Sequence, residues 1–266
     1  MEWKMIRSIS DEAERVNAIY RMFDEDTRLN RSRAARVEFL TTVRYVEKYL
    51  RPGSSVLDLG AGAGEYSLYF ASQGYAVTAI ELAERNVEAF RRKIQPGMNI
   101  DLRQGNALDL KAFADNSFDV VLLLGPLYHL ENEADRLTCI REALRVCKPG
   151  GVVFFAFISN DMVIITEFMY RPDFFREDTY DHTTFKVVDF PFVFFTVDQA
   201  REMLRKAGVD IIAEVAADGL SELLADKINA MDEYSYQQWL RYHFYCCEKP
   251  EMLGRSNHLL FIGRKV

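Results

Sequence analysis

The chain has 266 residues, of which 49% are hydrophobic, and its 33 Lys and Arg face 40 Asp and Glu for a net charge of −7. That length suits one large domain, or one domain with a sizeable insertion, built around its own core. The acidic balance argues against a surface that grips nucleic acid phosphates or anionic lipid, since both depend on Lys and Arg.

The first residues, Met1-Glu2-Trp3-Lys4-Met5-Ile6-Arg7, lack the apolar core of a signal peptide. No apolar run approaches the roughly 20 residues of a membrane-spanning helix, and Phe190–Val197 is too short. The four cysteines, Cys139, Cys147, Cys246 and Cys247, form no C-x-x-C pair. They read as reduced, buried thiols of a cytoplasmic protein.

Residues 8–30 are charged and helix-prone. From Arg31 to Leu50 the apolar positions Ala35, Phe39, Val43, Val46 and Leu50 recur every three or four residues. This is one face of a helix, which Pro52-Gly53 stops. A regular alternation follows. Strands are expected at Val56–Leu59, Ala76–Ile80, Asn99–Gln104, Phe118–Leu124 and Val152–Ile158. Helices are expected at Glu65–Ser72, Glu84–Lys93 and Asp135–Cys147, with Lys148-Pro149-Gly150-Gly151 as a turn before the fifth strand. Strands that are apolar throughout, alternating with helices, indicate a parallel sheet covered on both faces. Residues 160–195 break the pattern and are rich in aromatics, Asp, Arg and Thr. A helix at Val197–Ala207, a strand at Val209–Val215, helical character over 220–248 and a strand at His258–Gly263 complete the chain.

The most specific motif is Val56-Leu57-Asp58-Leu59-Gly60-Ala61-Gly62-Ala63-Gly64-Glu65-Tyr66. A buried strand runs into a glycine turn and then a helix. Glycine accepts positive φ and lets a ligand approach bare backbone. The spacing is G-x-G-x-G, whereas the dinucleotide fingerprint is G-x-G-x-x-G, so NAD is not the expected ligand. Glu81 lies just past the second strand, about 20 residues beyond the turn, where a carboxylate can accept from both ribose hydroxyls. Gly105-Asn106-Ala107-Leu108-Asp109 follows the third strand. Ser117-Phe118-Asp119-Val120-Val121 leads to Leu124-Gly125-Pro126-Leu127-Tyr128-His129-Leu130.

These four elements, in this order, resemble the class I, Rossmann-like methyltransferases that use S-adenosylmethionine (SAM), most of all the small-molecule type. The resemblance runs from about Ser54 to Ile158 and more loosely to the end. It implies an α/β fold with a doubly wound, mostly parallel seven-stranded sheet and helices on both faces. It also implies a single domain over 1–266: an amino-terminal helical lid (1–50), a SAM-binding core (54–158), a substrate cap inserted after strand 5 (159–196), and the rest of the sheet and helices (197–266). The implied cofactor is SAM, leaving as S-adenosylhomocysteine. Its expected contacts are Asp58, Gly60, Ala61, Gly62, Gly64, Glu81, Leu82, Asn106, Ala107, Leu124 and Gly125. Family members often carry Gly-Asp-Ala where this chain has Gly105-Asn106-Ala107, and the Asn106 oxygen can accept in place of the acid.

Methyl transfer from a sulfonium needs orientation, and a base where the acceptor is a hydroxyl or a protonated nitrogen. His129, at the mouth of the expected pocket, is the first candidate base. Tyr128 is a candidate for lining the acceptor pocket, and His182, in the aromatic insertion, is a second base. Arg28, Glu38 and Thr42 fall on the helices expected to close over SAM. His243 and His258 read as structural. Four scattered histidines without ligand spacing give no metal site. The expected function is transfer of a methyl group to a small molecule, with the acceptor atom (O, N or S) open and the protein a monomer or homodimer. An RNA or protein methyltransferase, or a silent SAM-binding partner protein, are the alternatives.

Overall fold

A computed structural model describes residues 5–6, 8–23, 25–188 and 191–265. Met1–Lys4 and Arg7, on which the leader argument rested, and Phe190 lie outside the described residues. Among the described residues no helix is long and apolar enough to cross a membrane.

The strands are β1 (Ser55–Leu59), β2 (Ala76–Glu81), β3 (Ile100–Gln104), β4 (Phe118–Leu123), β5 (Cys147–Ser159), β6 (Phe194–Phe195), β7 (Asp210–Ala216) and β8 (His258–Arg264). Seven of them form one sheet in the order β3-β2-β1-β4-β5-β8-β7, and the two-residue β6 pairs with the end of β5. The pairs β1–β2, β1–β4, β2–β3 and β4–β5 are parallel. Strand β8 runs antiparallel to both β5 and β7.

The uniform hydrophobicity of these strands follows from burial on both faces. Side chains alternate across a strand. Leu57, Leu59, Val121, Leu123, Val153, Phe155, Leu259 and Phe261 pack on one side, against Ile140, Ala143 and Val146 of one helix (Glu133–Val146) and Met203 and Leu204 of another (Val197–Lys206). Val56, Val120, Leu122, Val152, Phe154, Leu260 and Ile262 pack on the other, against Phe39, Val43 and Val46 and against Tyr66 and Phe70. In chain order the first four helices are α1 (Glu12–Met22), α2 (Arg36–Glu47), α3 (Glu65–Ser72) and α4 (Glu84–Lys93).

Two local expectations are corrected. Lys148–Gly151 is not a turn ahead of the fifth strand but the bulged start of β5, which begins at Cys147. The β4–β5 register shifts between Phe118 and Val120. Gly150 takes a φ of 73° there, and its N–H donates to the Lys265 carbonyl. Periodicity alone reads Pro149-Gly150-Gly151 as a break, whereas a bulge keeps the strand paired. The other correction is a helix at Asn160–Tyr170, inside the stretch that carried no clean period. Ser159 caps it by accepting from the Met162 N–H. Its apolar side chains are spread around the axis, so no single stripe announces it.

Helix α1 sits over the start of α4. Asn17 Oδ1 accepts from the Glu84 N–H, and Arg85 donates to the carbonyls of Tyr20 and Arg21. This docking carries α1 across the carboxyl ends of β1, β2 and β4.

A Cβ on Gly263 of β8 would stand 2.2 Å from Val209 Cγ1 and 3.0 Å from Phe155 Cε2. Gly263→Ala therefore overpacks a two-sided core and is expected to cost about 1–3 kcal/mol. Urea unfolding should show a lower midpoint with an unchanged slope, and an unaltered midpoint would contradict the packing account.

Candidate active site

The glycine turn stands at the carboxyl end of β1. The Gly60 and Ala61 N–H groups donate to the Ile80 carbonyl, which pins the turn against β2. Gly62 has a φ of 56° and its N–H donates to Glu81 Oε2 at 2.7 Å. Glu81 Oε1 accepts from the Ala83 N–H at 2.8 Å. The Glu81 carboxyl is buried, and burial raises its pKa against the opposing pull of these two backbone amides. Oε1 also accepts from Asn86 Nδ2 at 3.4 Å; each carboxylate oxygen has two acceptor positions, so the free one is on Oε2. Gly64 has a different role: a Cβ there would lie 2.3 Å from the Phe90 ring, so this glycine lets α3 pack on α4.

Asp58 lies beneath the turn and is almost fully buried. Its Oδ2 accepts from the Ser67 hydroxyl of α3 at 2.7 Å. Burial pushes its pKa up to about 7, with the Ser67 bond opposing and Glu81 adding to the rise. It ties the turn to the following helix. Asn106 Oδ1 accepts from the Leu108 N–H at 2.9 Å, and the side chain borders the same cleft as Glu81, Leu82, Ala107 and Gly125. The Leu124 carbonyl accepts from the Tyr128 hydroxyl at 2.8 Å. Between these residues and Glu12, Val16 and Tyr20 of α1 the free volume is about 40 Å³. A Cβ on Gly62 would meet Glu25 Cγ at 3.1 Å, so the segment after α1 covers that face of the turn as well.

Next to this cleft opens a cavity of about 570 Å³. Tyr20 and Phe23, Tyr128, Phe192 and Phe194 give it aromatic walls. Thr166, Glu167 and Tyr170 come from the 160–170 helix, Asp218 and Glu222 from beyond β7, and Asn257 and His258 from the start of β8. Arg28 bridges Glu25, at 3.0 Å, and Glu38 of α2, at 2.7 Å. His258 Nδ1 lies 2.7 Å from Asp218 Oδ2 and 3.4 Å from Glu38 Oε2. Burial alone would lower the His258 pKa, but the Glu38 and Asp218 carboxylates more than offset it and hold the imidazole at about 9. Asp218, also bonded by the Ser256 hydroxyl, sits below the usual carboxylate range despite its burial.

His129 follows a short 3₁₀ turn (Pro126–Tyr128) and is buried among Tyr20, Tyr128 and Phe192. Its Nε2 pairs with the Tyr20 hydroxyl at 2.9 Å, and its Nδ1 has no partner among the described residues. Burial, with Arg15 adding, drops its pKa to about 3. Tyr128 lines the large cavity. His182 does not: it stacks on Tyr180 at 4.5 Å, and its half-exposed ring meets the Glu177 carbonyl on the outside of the 160–195 segment. His258 is the residue sequence reasoning passed over, read as a structural histidine in an apolar strand. Its partners Glu38 and Asp218 are 220 and 40 positions away, so no local motif could have exposed it.

A glycine turn and a buried carboxylate stand together at the carboxyl ends of parallel strands, the edge at which doubly wound sheets bind ligands. Residues 57–155 match the family described as a methyltransferase domain. A ubiquinone biosynthesis O-methyltransferase of Azotobacter vinelandii is 36% identical over 121 residues, covering 45% of this chain and 51% of that protein. One from Caulobacter vibrioides is 34% identical over 111 residues, covering 41% and 43%. The chain thus spans about half the length of the curated relatives it matches. Among solved structures, a protein of Pyrococcus horikoshii aligns with a TM-score of 0.61 at 18% identity over 93% of this chain and 98% of that one. A SAM-dependent methyltransferase of Methanosarcina mazei aligns at 0.55 and 20% identity over 84% and 97%. Residues 57–155 are thus similar to a methyltransferase domain, and the chain shares the fold of solved SAM-dependent methyltransferase structures.

Glu81→Gln tests the cofactor side. The amide presents a donor to one of the two backbone N–H groups that the carboxylate now receives, and one charge-assisted bond is lost. A bond to a charged group contributes about 1.5–3 kcal/mol, so calorimetry should find S-adenosylhomocysteine bound roughly 10- to 100-fold more weakly. Unchanged affinity would remove Glu81 from the ligand site.

Proposed function

We propose that this protein is an enzyme that transfers the methyl group of SAM to an oxygen of a small molecule. The observation that carries the reading is the aromatic-walled cavity adjoining the glycine-turn cleft, with Tyr20 bordering both. Pockets for ligands of this size are of order 300–1,000 Å³, which the 570 Å³ cavity meets. A cavity of this volume accommodates a small acceptor, and the net charge of −7 gives no reason to expect nucleic acid. The O-methyltransferases named above support oxygen as the acceptor atom. A monomer or homodimer in the cytoplasm, with its four free cysteines buried, belongs to the same reading.

The donor set of the cleft fits the cofactor. Glu81 would hold the ribose, Gly60–Gly62 with Ala61 would border the methionine portion, and Leu82, Asn106 and Ala107 would flank the adenine, with Leu124 and Gly125 at the sulfur end. When bound, SAM supplies an electrophilic methyl group on a sulfonium. The space left there is far too small for a nucleoside, so α1 must move off Glu81 for the ligand to enter. Of the lid expected over residues 1–50, α1 is the movable part, since α2 packs against the sheet; residues 54–158 are the core, 159–196 the substrate cap, and 197–266 the rest of the sheet. Opening would break the polar contacts of α1 to α4, the Tyr20–His129 bond and the Arg15–Glu131 pair, and would expose Val16 and Ile19.

His129 is kept neutral by its burial. An imidazole with a pKa near 3 is too weak a base to draw a proton from a hydroxyl. Its work is to position Tyr20, and through it α1.

The test has two arms. Calorimetry should detect binding of S-adenosylhomocysteine, and methyl transfer from labelled SAM should appear with hydroxylated aromatic compounds. Binding without any turnover across such a panel would favour the silent-partner reading. For His129→Ala, loss of one hydrogen bond, about 1 kcal/mol, should weaken cofactor affinity and turnover together by roughly 3- to 10-fold. A fall of more than 100-fold in turnover alone would make it the base after all.

A further inference from the structure

Resting on the reading above, we propose that His258, oriented by Asp218, is the catalytic base that takes the proton from an aromatic hydroxyl of the acceptor. The cavity offers no other histidine: His129 lies behind Tyr20, bonded to its hydroxyl, and His182 is outside.

The geometry is that of an oriented imidazole. Asp218 accepts from His258 Nδ1 at 2.7 Å and from the His258 backbone N–H at 3.1 Å. The Ser256 hydroxyl donates to the same carboxylate and accepts from the Asp218 and Gly219 N–H groups. A buried carboxylate held from several sides fixes the ring and its tautomer, with the proton on Nδ1. Nε2 makes no hydrogen bond among the described residues, and His258 lines the cavity, so that nitrogen is left for a ligand. The aromatic walls fit a flat ring edge-on or face-on, which selects a phenol-type hydroxyl over an aliphatic one.

The step balances. The acceptor oxygen gives its proton to Nε2 and forms a bond to the methyl carbon as the carbon–sulfur bond breaks, with that electron pair passing to sulfur. His258 then releases the proton to water. A base with a pKa near 9 is matched to a phenol, whose own pKa is near 10. The charged groups that face the ring are Glu38 on α2, Arg28 ahead of α2, and Asp218 and Glu222 beyond β7. The carboxylates raise its basicity and Arg28 tempers it. His243, on a helix behind Asp218 (Glu233–Cys246), stays neutral, its burial lowering its pKa to about 4. The sign is definite. His258 is protonated and inactive as a base below about pH 9, so the rate should climb with pH toward a plateau above it.

The experiment uses the full chain with S-adenosylhomocysteine or SAM, and catechol as the probe acceptor. In the S-adenosylhomocysteine complex, the His258 ring signals in ¹³C,¹⁵N-histidine NMR should titrate near pH 9 and shift when catechol is added at millimolar concentration. With SAM, log kcat/KM for catechol should rise with a slope near one from pH 6.5 to about 9, with circular dichroism confirming the fold over that range. Asp218→Asn should move the NMR titration and the rate limb together to lower pH by at least one unit. His258→Gln should cut kcat at least 100-fold while S-adenosylhomocysteine binding stays within threefold. A flat or falling pH profile overturns the proposal, and so does a His258 signal indifferent to catechol, even if the variants do not fold. Absence of S-adenosylhomocysteine binding by the wild-type chain would instead overturn the reading of the cofactor cleft, which separates the two failures.

Discussion

The site depends on where the Glu81 carboxylate goes. A buried carboxylate must be hydrogen-bonded or it will take up a proton. Glu81 meets that demand with two backbone N–H groups from different places: Gly62 in the turn after β1, and Ala83 at the entrance to α4. Two neighbouring crossovers are thereby fastened to one side chain. The glycine turn needs this tie, because three residues at positive φ have little intrinsic preference for a single path. Asp58 does the corresponding work underneath, joining the turn to α3 through Ser67.

The large cavity owes its floor to the reversal of one strand. Were β8 parallel to β5, its first residue would stand at the opposite edge of the sheet. Running antiparallel, it pairs His258 with Ile158, at the carboxyl end of β5. This brings the imidazole to the edge from which the glycine turn also emerges. The Asn160–Tyr170 helix leaves that same end of β5, capped by Ser159, and its Thr166 bonds Asn257. Sheet topology therefore brings the start of β8 against the end of β5, 100 positions earlier in the chain, with the other pocket segments between and before them.

This explains which parts were legible in the sequence. The parallel strands declared themselves through uninterrupted hydrophobicity, since two-sided burial leaves little room for polar residues. The cofactor cleft was readable because its contacts lie at the ends of those strands, in short motifs with fixed spacing. Gly64 matched the motif for another reason than ligand approach: the missing Cβ is filled by Phe90. What stayed hidden has no local signature. The bulge at Lys148–Gly151 looks like a turn because Pro and Gly serve both. Glu38, Asp218 and His258 form a cluster only once α2, β7 and β8 are packed, and a histidine in an apolar strand resembles core until its partners are known.

His129, in the wall of the cleft, and His258, in the wall of the large cavity, are pushed in opposite directions, which fits the different roles proposed for them. His129 meets aromatic rings and an unhelpful Arg15, so the charged form is disfavoured and the ring stays neutral at any physiological pH. If the cleft holds a sulfonium, as proposed, a neutral ring in its wall avoids the repulsion that an imidazolium would exert. His258 meets Glu38 and Asp218, so the charged form is favoured and the ring becomes a strong base once its proton is lost. Basicity suits a position against a weakly acidic hydroxyl. If the surroundings were exchanged, His129 would repel the methyl donor and His258 could not activate the acceptor. The sequence letters are identical at both sites; the carboxylates that α2 and the segment after β7 bring to one of them make the chemical difference.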